Sequence, residues 1–103
     1  MTITKTINEN TITLALSGKL DTVTSVQFSN ELDAIKKQGS FDLVLDFENL
    51  DYISSAGLRV VLIAQKQSSS QGTKLKIINV NTTVNEVFNM TGFSGILDII
   101  PKI

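Results

Sequence analysis

The sequence predicts an α/β fold: one domain with a mixed, mostly parallel sheet of four to five strands and helices packed on it. Two alternating segments at the start are separated by a short polar turn, which is typical of an antiparallel hairpin. After them, helical and strand patterns alternate, which is typical of parallel strands joined by crossover helices. The chain has 103 residues, is 42% hydrophobic and has no internal repeat, so we expect a single domain over residues 1–103.

The predicted hairpin opens the chain. A weakly alternating strand runs from Ile3 to Ile7, and Asn8-Glu9-Asn10 forms the turn. The second strand, Thr11–Ser17, alternates strictly. One face of that strand therefore carries Ile12, Leu14 and Leu16.

The first helix is predicted over Val23–Lys37, after Gly18-Lys19-Leu20-Asp21 breaks the strand pattern. Asp21 or Thr22 supplies its capping side chain, and Gly39 is the expected stop. Its inner face is predicted to carry Phe28, Leu32 and Ile35, extended by Val23 and Val26.

The centre of the chain reads as strand, short loop and helix. Phe41–Phe47 has consecutive apolar residues, which predicts a central strand buried on both faces. A helix from about Ala56 to Ser68 follows, and Ser54 and Ser55 stand where it begins.

The last third predicts a strand, a short helix and a final strand. These elements are expected over Lys74–Val80, Val84–Met90 and Ile96–Ile99. Thr82 or Thr83 is expected to cap the helix, and Pro101 to stop the last strand. Inward positions of the helix are predicted to be Val84, Val87 and Phe88, with Met90 also assigned to the core.

Composition excludes several kinds of function. The chain has no cysteine and no histidine, so disulfides, thiolate metal sites and a Ser-His-Asp mechanism are impossible within it. No dense acidic loop suits a metal ion, and we expect neither a metal nor another cofactor. The net charge is −1 and the basic residues are scattered, so no nucleic-acid or membrane partner is expected. Without a signal peptide or a long apolar run, the sequence predicts a cytoplasmic protein.

Ser54 and Ser55 are the most informative polar residues. A serine at a helix start can accept a hydrogen bond from a free backbone N–H group. The same place suits a phosphate, because it lies at the positive end of the helix dipole. From these residues alone, a plain helix cap and a phosphorylation site both remain open for Ser55, and Asp21 can equally be a cap or a partner contact.

Four motifs resemble those of one family. The segment Tyr52-Ile53-Ser54-Ser55-Ala56-Gly57-Leu58 resembles the signature of the anti-sigma factor antagonists, the bacterial members of the STAS domain family (sulphate transporter and anti-sigma factor antagonist). The other three are Leu16-Ser17-Gly18-Lys19-Leu20-Asp21, Gly72-Thr73-Lys74-Leu75 and Val87-Phe88-Asn89-Met90-Thr91-Gly92-Phe93. The match runs from about Thr11 to Ile99. This resemblance implies an STAS-like single domain.

The resemblance also implies a function. In the family, a serine two positions before the signature glycine, here Ser55, is phosphorylated by an anti-sigma factor that is a serine kinase. The unphosphorylated antagonist binds that kinase and so releases a sigma factor for transcription; a metal-dependent phosphatase reverses the modification. The surface expected to contact the partner consists of Asp21, Ser54, Ser55, Ala56, Gly57 and Arg59. We expect a monomer or weak dimer.

The signature departs from the family pattern at two positions. Ser54 stands where relatives have an aspartate, so Ser54 is a second candidate acceptor, and Ala56 stands where they have serine or threonine. The missing aspartate motivates an alternative function: an STAS scaffold, or a subunit of a signalling or transport complex, that is not phosphorylated. An enzyme is not expected, since no histidine can activate the serine and no glycine lies two positions before it.

Overall fold

A computed structural model describes residues 1–102 of the chain. In this part of the chain it contains five strands, three α-helices and one 3₁₀ turn. The strands are β1 (Thr2–Asn8), β2 (Thr11–Leu20), β3 (Asp42–Ile53), β4 (Leu75–Val80) and β5 (Asp98–Pro101). The helices are α1 (Thr22–Gln38), α2 (Ser55–Gln71) and α3 (Thr82–Thr91), and the 3₁₀ turn covers Phe93–Gly95.

The five strands form one sheet in the order of the sequence, β1-β2-β3-β4-β5. β1 pairs with β2 antiparallel, and each later strand pairs parallel with the one before it. The predicted α/β fold with a mixed, mostly parallel sheet is therefore confirmed, with five strands.

The helices cover only one face of this sheet. Right-handed crossovers between strands that are neighbours in both sequence and space carry every helix to the same face. On that face the register aligns buried side chains across three strands, such as Leu14 beside Leu45 and Leu45 beside Ile77. On the other face, Thr13 lies beside Val44, and both are only half-buried. The prediction that β3 is buried on both faces is therefore wrong.

The inner faces of the helices were predicted in part. Phe28, Leu32 and Ile35 of α1 are buried as predicted, as are Val84 and Phe88 of α3. The other predicted core positions were wrong or only partly right. Val23 and Val26 of α1 are 79% and 60% exposed. In α3, Met90 is 85% exposed and Val87 is half-buried. Ser25 takes the inward position in the first turn of α1, so the two valines turn outward.

Strand ends differ most from the predictions. β2 continues through Gly18 to Leu20, and β3 continues to Ile53, because these extensions pair with each other. The polar residues that suggested a loop after Phe47 are exposed, so they do not interrupt the pairing. β5 includes Pro101, which is tolerated because β5 lies at the edge of the sheet.

The cap of α3 was also predicted wrongly. Asn81, not Thr82 or Thr83, precedes the helix, and its side-chain Oδ1 accepts a hydrogen bond from Val84 N at 2.9 Å. The amide of the same side chain donates to the Leu50 carbonyl at 2.7 Å. Asparagine satisfies both partners because its side-chain oxygen accepts while its amide nitrogen donates.

Candidate functional site

The starts of α1 and α2 lie side by side at the carboxyl ends of β2 and β3. Leu20 and Ile53, the last residues of the two strands, are paired in the sheet. The backbone N–H of Ser54 donates to the Leu20 carbonyl at 2.8 Å. Loops beyond the carboxyl ends of parallel strands are the usual place for binding sites in such sheets.

At the start of α1, Asp21 is the capping residue. Its Oδ1 accepts hydrogen bonds from Val23 N at 3.0 Å and Thr24 N at 2.9 Å. The Thr24 hydroxyl in turn accepts from Asp21 N at 2.8 Å, which completes a capping box. The hydrogen bonds from Thr24 and Val23 hold the pKa of the Asp21 carboxyl below its usual range. Of the two open interpretations of Asp21, the structure shows the cap.

At the start of α2, the two serines have different positions. Ser54 is the capping residue, and its hydroxyl accepts from Gly57 N at 3.2 Å. Ser55 is the first residue of the helix and is exposed. Within residues 1–102 the Ser55 hydroxyl makes no hydrogen bond. A capping role therefore belongs to Ser54 and does not explain Ser55.

Gly57 is required by packing inside the protein. A Cβ atom at this position would lie 2.8 Å from Leu20 Cγ and 3.0 Å from Ile53 Cγ1. Such distances are too short, so only glycine lets α2 approach the ends of β2 and β3 this closely. Gly57, which was expected on the surface that contacts the partner, is buried, and it positions the start of the helix.

Two grooves flank the first turns of α2. The first, of about 400 Å³, lies between α1 and α2. The second, of about 290 Å³, lies between α2 and the end of α3 with the 3₁₀ turn that follows it. Ser55 and Arg59 line both grooves, so together they form a ridge between them, which we name the Ser55–Arg59 ridge. Ala56 is half-buried and lines the first groove. The structure thus brings Ser55, Ala56 and Arg59 together, with Asp21 at the start of the neighbouring helix α1.

Arg59 is the single charged residue among those that line the two grooves. In the part of the chain that the structure describes, the ion pair within 4.0 Å joins Lys5 and Glu31, so Arg59 has no carboxylate partner. The acidic residues of β3 that precede the site in the chain, Asp46, Glu48 and Asp51, line neither groove.

The sequence interpretation missed the contribution of α1 to the site. The α1 wall of the first groove includes Thr22, Val26, Ser29 and Asn30. The exposed Val26 also shows that part of this wall is apolar. The signal was present in the sequence, because two valines spaced three residues apart beside a helix start fit either a core face or an exposed one.

Within residues 1–102, no group of three or more Asp or Glu side chains is placed to hold a metal ion. No helix there is both long enough and apolar enough to span a bilayer.

The chain is similar in sequence to one family of known proteins. A sequence model of the STAS domain matches residues 2–103. A Bordetella bronchiseptica protein named as a candidate anti-sigma factor antagonist, BtrV, is 39% identical over 84 residues, which cover 82% of this chain and 72% of that protein. The anti-sigma-B factor antagonist of Bacillus subtilis is 30% identical over 95 residues, or 92% of this chain and 86% of the relative.

A solved structure has the same fold. The Bacillus cell fate determinant SpoIIAA in its phosphorylated form superposes with a TM-score of 0.76 at 20% identity, covering 95% of this chain and 90% of that one. The family match spans the whole described sheet and all three helices, including both helix starts at the site. This chain belongs to the STAS domain family.

Proposed function

We propose that this protein is an anti-sigma factor antagonist controlled by phosphorylation of Ser55. The unphosphorylated form binds a kinase-type anti-sigma factor through the Ser55–Arg59 ridge and the adjoining start of α1, which releases a sigma factor for transcription. Phosphorylation of Ser55 by the same kinase dissociates the complex. A metal-dependent phosphatase that acts on the phosphorylated form restores the form that binds the anti-sigma factor. The names of the two sequence relatives support the antagonist role.

One observation carries the proposal: Ser54 caps α2 and leaves the adjacent Ser55 hydroxyl exposed and unbonded. Modifying Ser55 therefore breaks no hydrogen bond of the fold. The Ser54 hydroxyl already accepts from the Gly57 N–H, and Ser54 is half-buried whereas Ser55 is exposed, which makes Ser54 the less accessible site for phosphorylation. SpoIIAA, a protein of the same fold, has been solved in a phosphorylated form, which fits a modifiable domain of this kind.

The phosphate acts on the partner and not on the fold. It adds about −1.5 to −2 charges at pH 7. At the first residue of α2 this charge lies near the positive end of the helix dipole, so the helix tolerates it. A partner surface matched to a neutral hydroxyl, beside the partly apolar α1 wall, would have to desolvate the phosphate, which is unfavourable.

The first experiment incubates the protein with an anti-sigma factor serine kinase and ATP, then locates the phosphate by mass spectrometry. We expect stoichiometric phosphate on Ser55, none on the Ser55→Ala variant, and full modification of Ser54→Ala. Thr22 is an internal control on which we expect no phosphate, because it is an exposed hydroxyl residue at the first position of α1, as Ser55 is of α2. Phosphate on Ser54 and not on Ser55 would show that Ser54 is the phosphorylated residue. No phosphate on either serine would favour the alternative function, an STAS scaffold that is not phosphorylated.

The second experiment measures binding to the anti-sigma factor. We expect Ser55→Asp to weaken binding by at least about tenfold through charge repulsion, with an unchanged circular dichroism spectrum. Ser70→Asp is the matched control, because Ser70 is an exposed serine near the other end of the same helix. Equal affinity of Ser55→Asp and the unmodified protein would contradict the switch.

A further inference from the structure

We propose that Arg59 clamps the phosphate of phosphorylated Ser55 in an intramolecular ion pair along α2. This inference rests on the proposed function for its biological setting, because it concerns what happens after Ser55 is modified. It assigns a positioning role to the one arginine of the chain.

The spacing of the two residues favours the contact. Ser55 and Arg59 are four residues apart in a continuous helix, which places their Cβ atoms about 6 Å apart on one face. The negative group precedes the positive one in the chain, which is the favourable order for such a pair. An arginine side chain is long enough to meet a phosphate at that distance and can donate two parallel hydrogen bonds to it.

Nothing else in the described structure competes for Arg59. Its side chain is exposed, and no carboxylate of residues 1–102 lies within 4.0 Å of it. The charged groups of the neighbouring elements are engaged or outside the grooves: Asp21 caps α1, and Asp51 at the end of β3 lines neither groove. No second cation lines either groove, so Arg59 is the natural counter-ion.

The clamp changes how phosphorylation alters the surface. Without phosphate, the Ser55–Arg59 ridge offers a neutral hydroxyl and a free guanidinium group, and the guanidinium group can pair with a carboxylate of the partner. With phosphate, the ridge gains a negative group and its guanidinium group turns to that group. A single modification thus removes one attractive contact and adds one repulsive group.

The test uses the full chain with phosphoserine installed at position 55 during translation, so that it needs no kinase. Phosphorus NMR then follows the second ionisation of the phosphate, whose pKa is ordinarily about 6. Because Arg59 favours the dianion, we expect the Arg59→Gln variant to raise this pKa by about 0.3 at low ionic strength. Lys66→Gln is the matched control, because it removes an exposed cation on the same helix that lies about 16 Å from Ser55 along the helix axis. We expect this variant to leave the phosphate pKa unchanged.

A second readout separates a contact from a distant field. The chain has one arginine, so its Nε–Hε cross-peak in a nitrogen–proton spectrum is unambiguous. We expect this cross-peak to move as the installed phosphate titrates. The clamp would be overturned if the phosphate pKa were the same with Arg59→Gln as with Arg59 present. It would also be overturned if the arginine cross-peak did not shift as the phosphate titrates. Failure of a kinase to modify Ser55 would instead count against the proposed function alone.

Discussion

The starts of α1 and α2 have the same kinds of residue at the cap and at the first helical position, but they are stabilised by different contacts. Each has an oxygen-bearing cap, Asp21 or Ser54, followed by an exposed hydroxyl residue, Thr22 or Ser55. The two helices diverge at the third helical position. In α1 that position is Thr24, whose side chain closes the capping box, whereas in α2 it is Gly57, which has no side chain.

This difference decides how each helix start is held. At α1 the cap is closed locally, because Thr24 accepts from the backbone N–H of Asp21. At α2 the equivalent N–H, that of Ser54, bonds to Leu20 at the end of β2, and Gly57 packs against the same residue. The second helix start is therefore held by the sheet, and its first exposed residue, Ser55, is fixed in position without using its own hydroxyl.

The largest change in stability is expected from Gly57→Ala. The new methyl group meets Leu20 and Ile53, and overpacking a core of this kind costs about 1 to 3 kcal/mol. Alanine gains roughly 1 kcal/mol over glycine in a helix, which offsets part of this cost. Urea unfolding should therefore show a net loss of up to about 2 kcal/mol. Gly95→Ala, where a methyl group meets open space, is the control and should stay within about 0.5 kcal/mol; equal effects would refute the close approach.

The next effect is expected from Asp21→Ala, which opens the capping box of α1. It removes the acceptor of two backbone N–H groups, so we expect a larger loss than for Ser54→Ala. The pKa of Asp21 is lowered in the folded protein, so its charged form stabilises the fold at pH values above about 3.9, its unfolded value. That contribution disappears as the pH falls through the lower folded pKa. The stability difference between Asp21→Ala and the unmodified protein should therefore shrink between pH 6 and pH 2; a constant difference would show that the carboxylate charge is irrelevant.

The smallest effects should separate the two serines. Ser54→Ala removes the acceptor of the Gly57 N–H and should cost about 0.5 to 1 kcal/mol. Ser55→Ala removes an unbonded exposed hydroxyl and should change stability by less than about 0.5 kcal/mol. The two variants are matched in chemistry and adjacent in sequence, and thermal unfolding compares them directly. A greater loss for Ser55→Ala would reverse the roles assigned here.

The sequence was sufficient for the fold, and the predicted role of the residues at the two helix starts stays a prediction. Alternating patterns placed the hairpin and the parallel strands, and Phe28, Leu32 and Ile35 marked the inner face of α1. The cap of α1 was narrowed to Asp21 or Thr22, and the structure selects Asp21. These predictions succeeded because they depend on local periodicity and capping, which a single sequence expresses.

The failures arose where tertiary pairing decides the outcome. Polar residues after Phe47 suggested a loop, but β3 continues to Ile53 because β2 extends alongside it. Met90 looked like a core residue, yet it lies on the outer side of a short helix. The packing of Gly57 against Leu20 could not be read from the sequence, because it depends on how close a helix approaches two strand ends.

The anchoring of Ser54 to β2 has a consequence for any enzyme that acts on Ser55. Ser55 already has helical backbone geometry, and its neighbours are fixed by Leu20, so it cannot be drawn out as an extended segment without opening the domain. An enzyme that modifies it must accept a folded substrate in which the first turns of α1 lie beside Ser55. Substrate selection then depends on the three-dimensional shape of the folded domain, so an unfolded copy of the same chain contains the serine but is not a substrate.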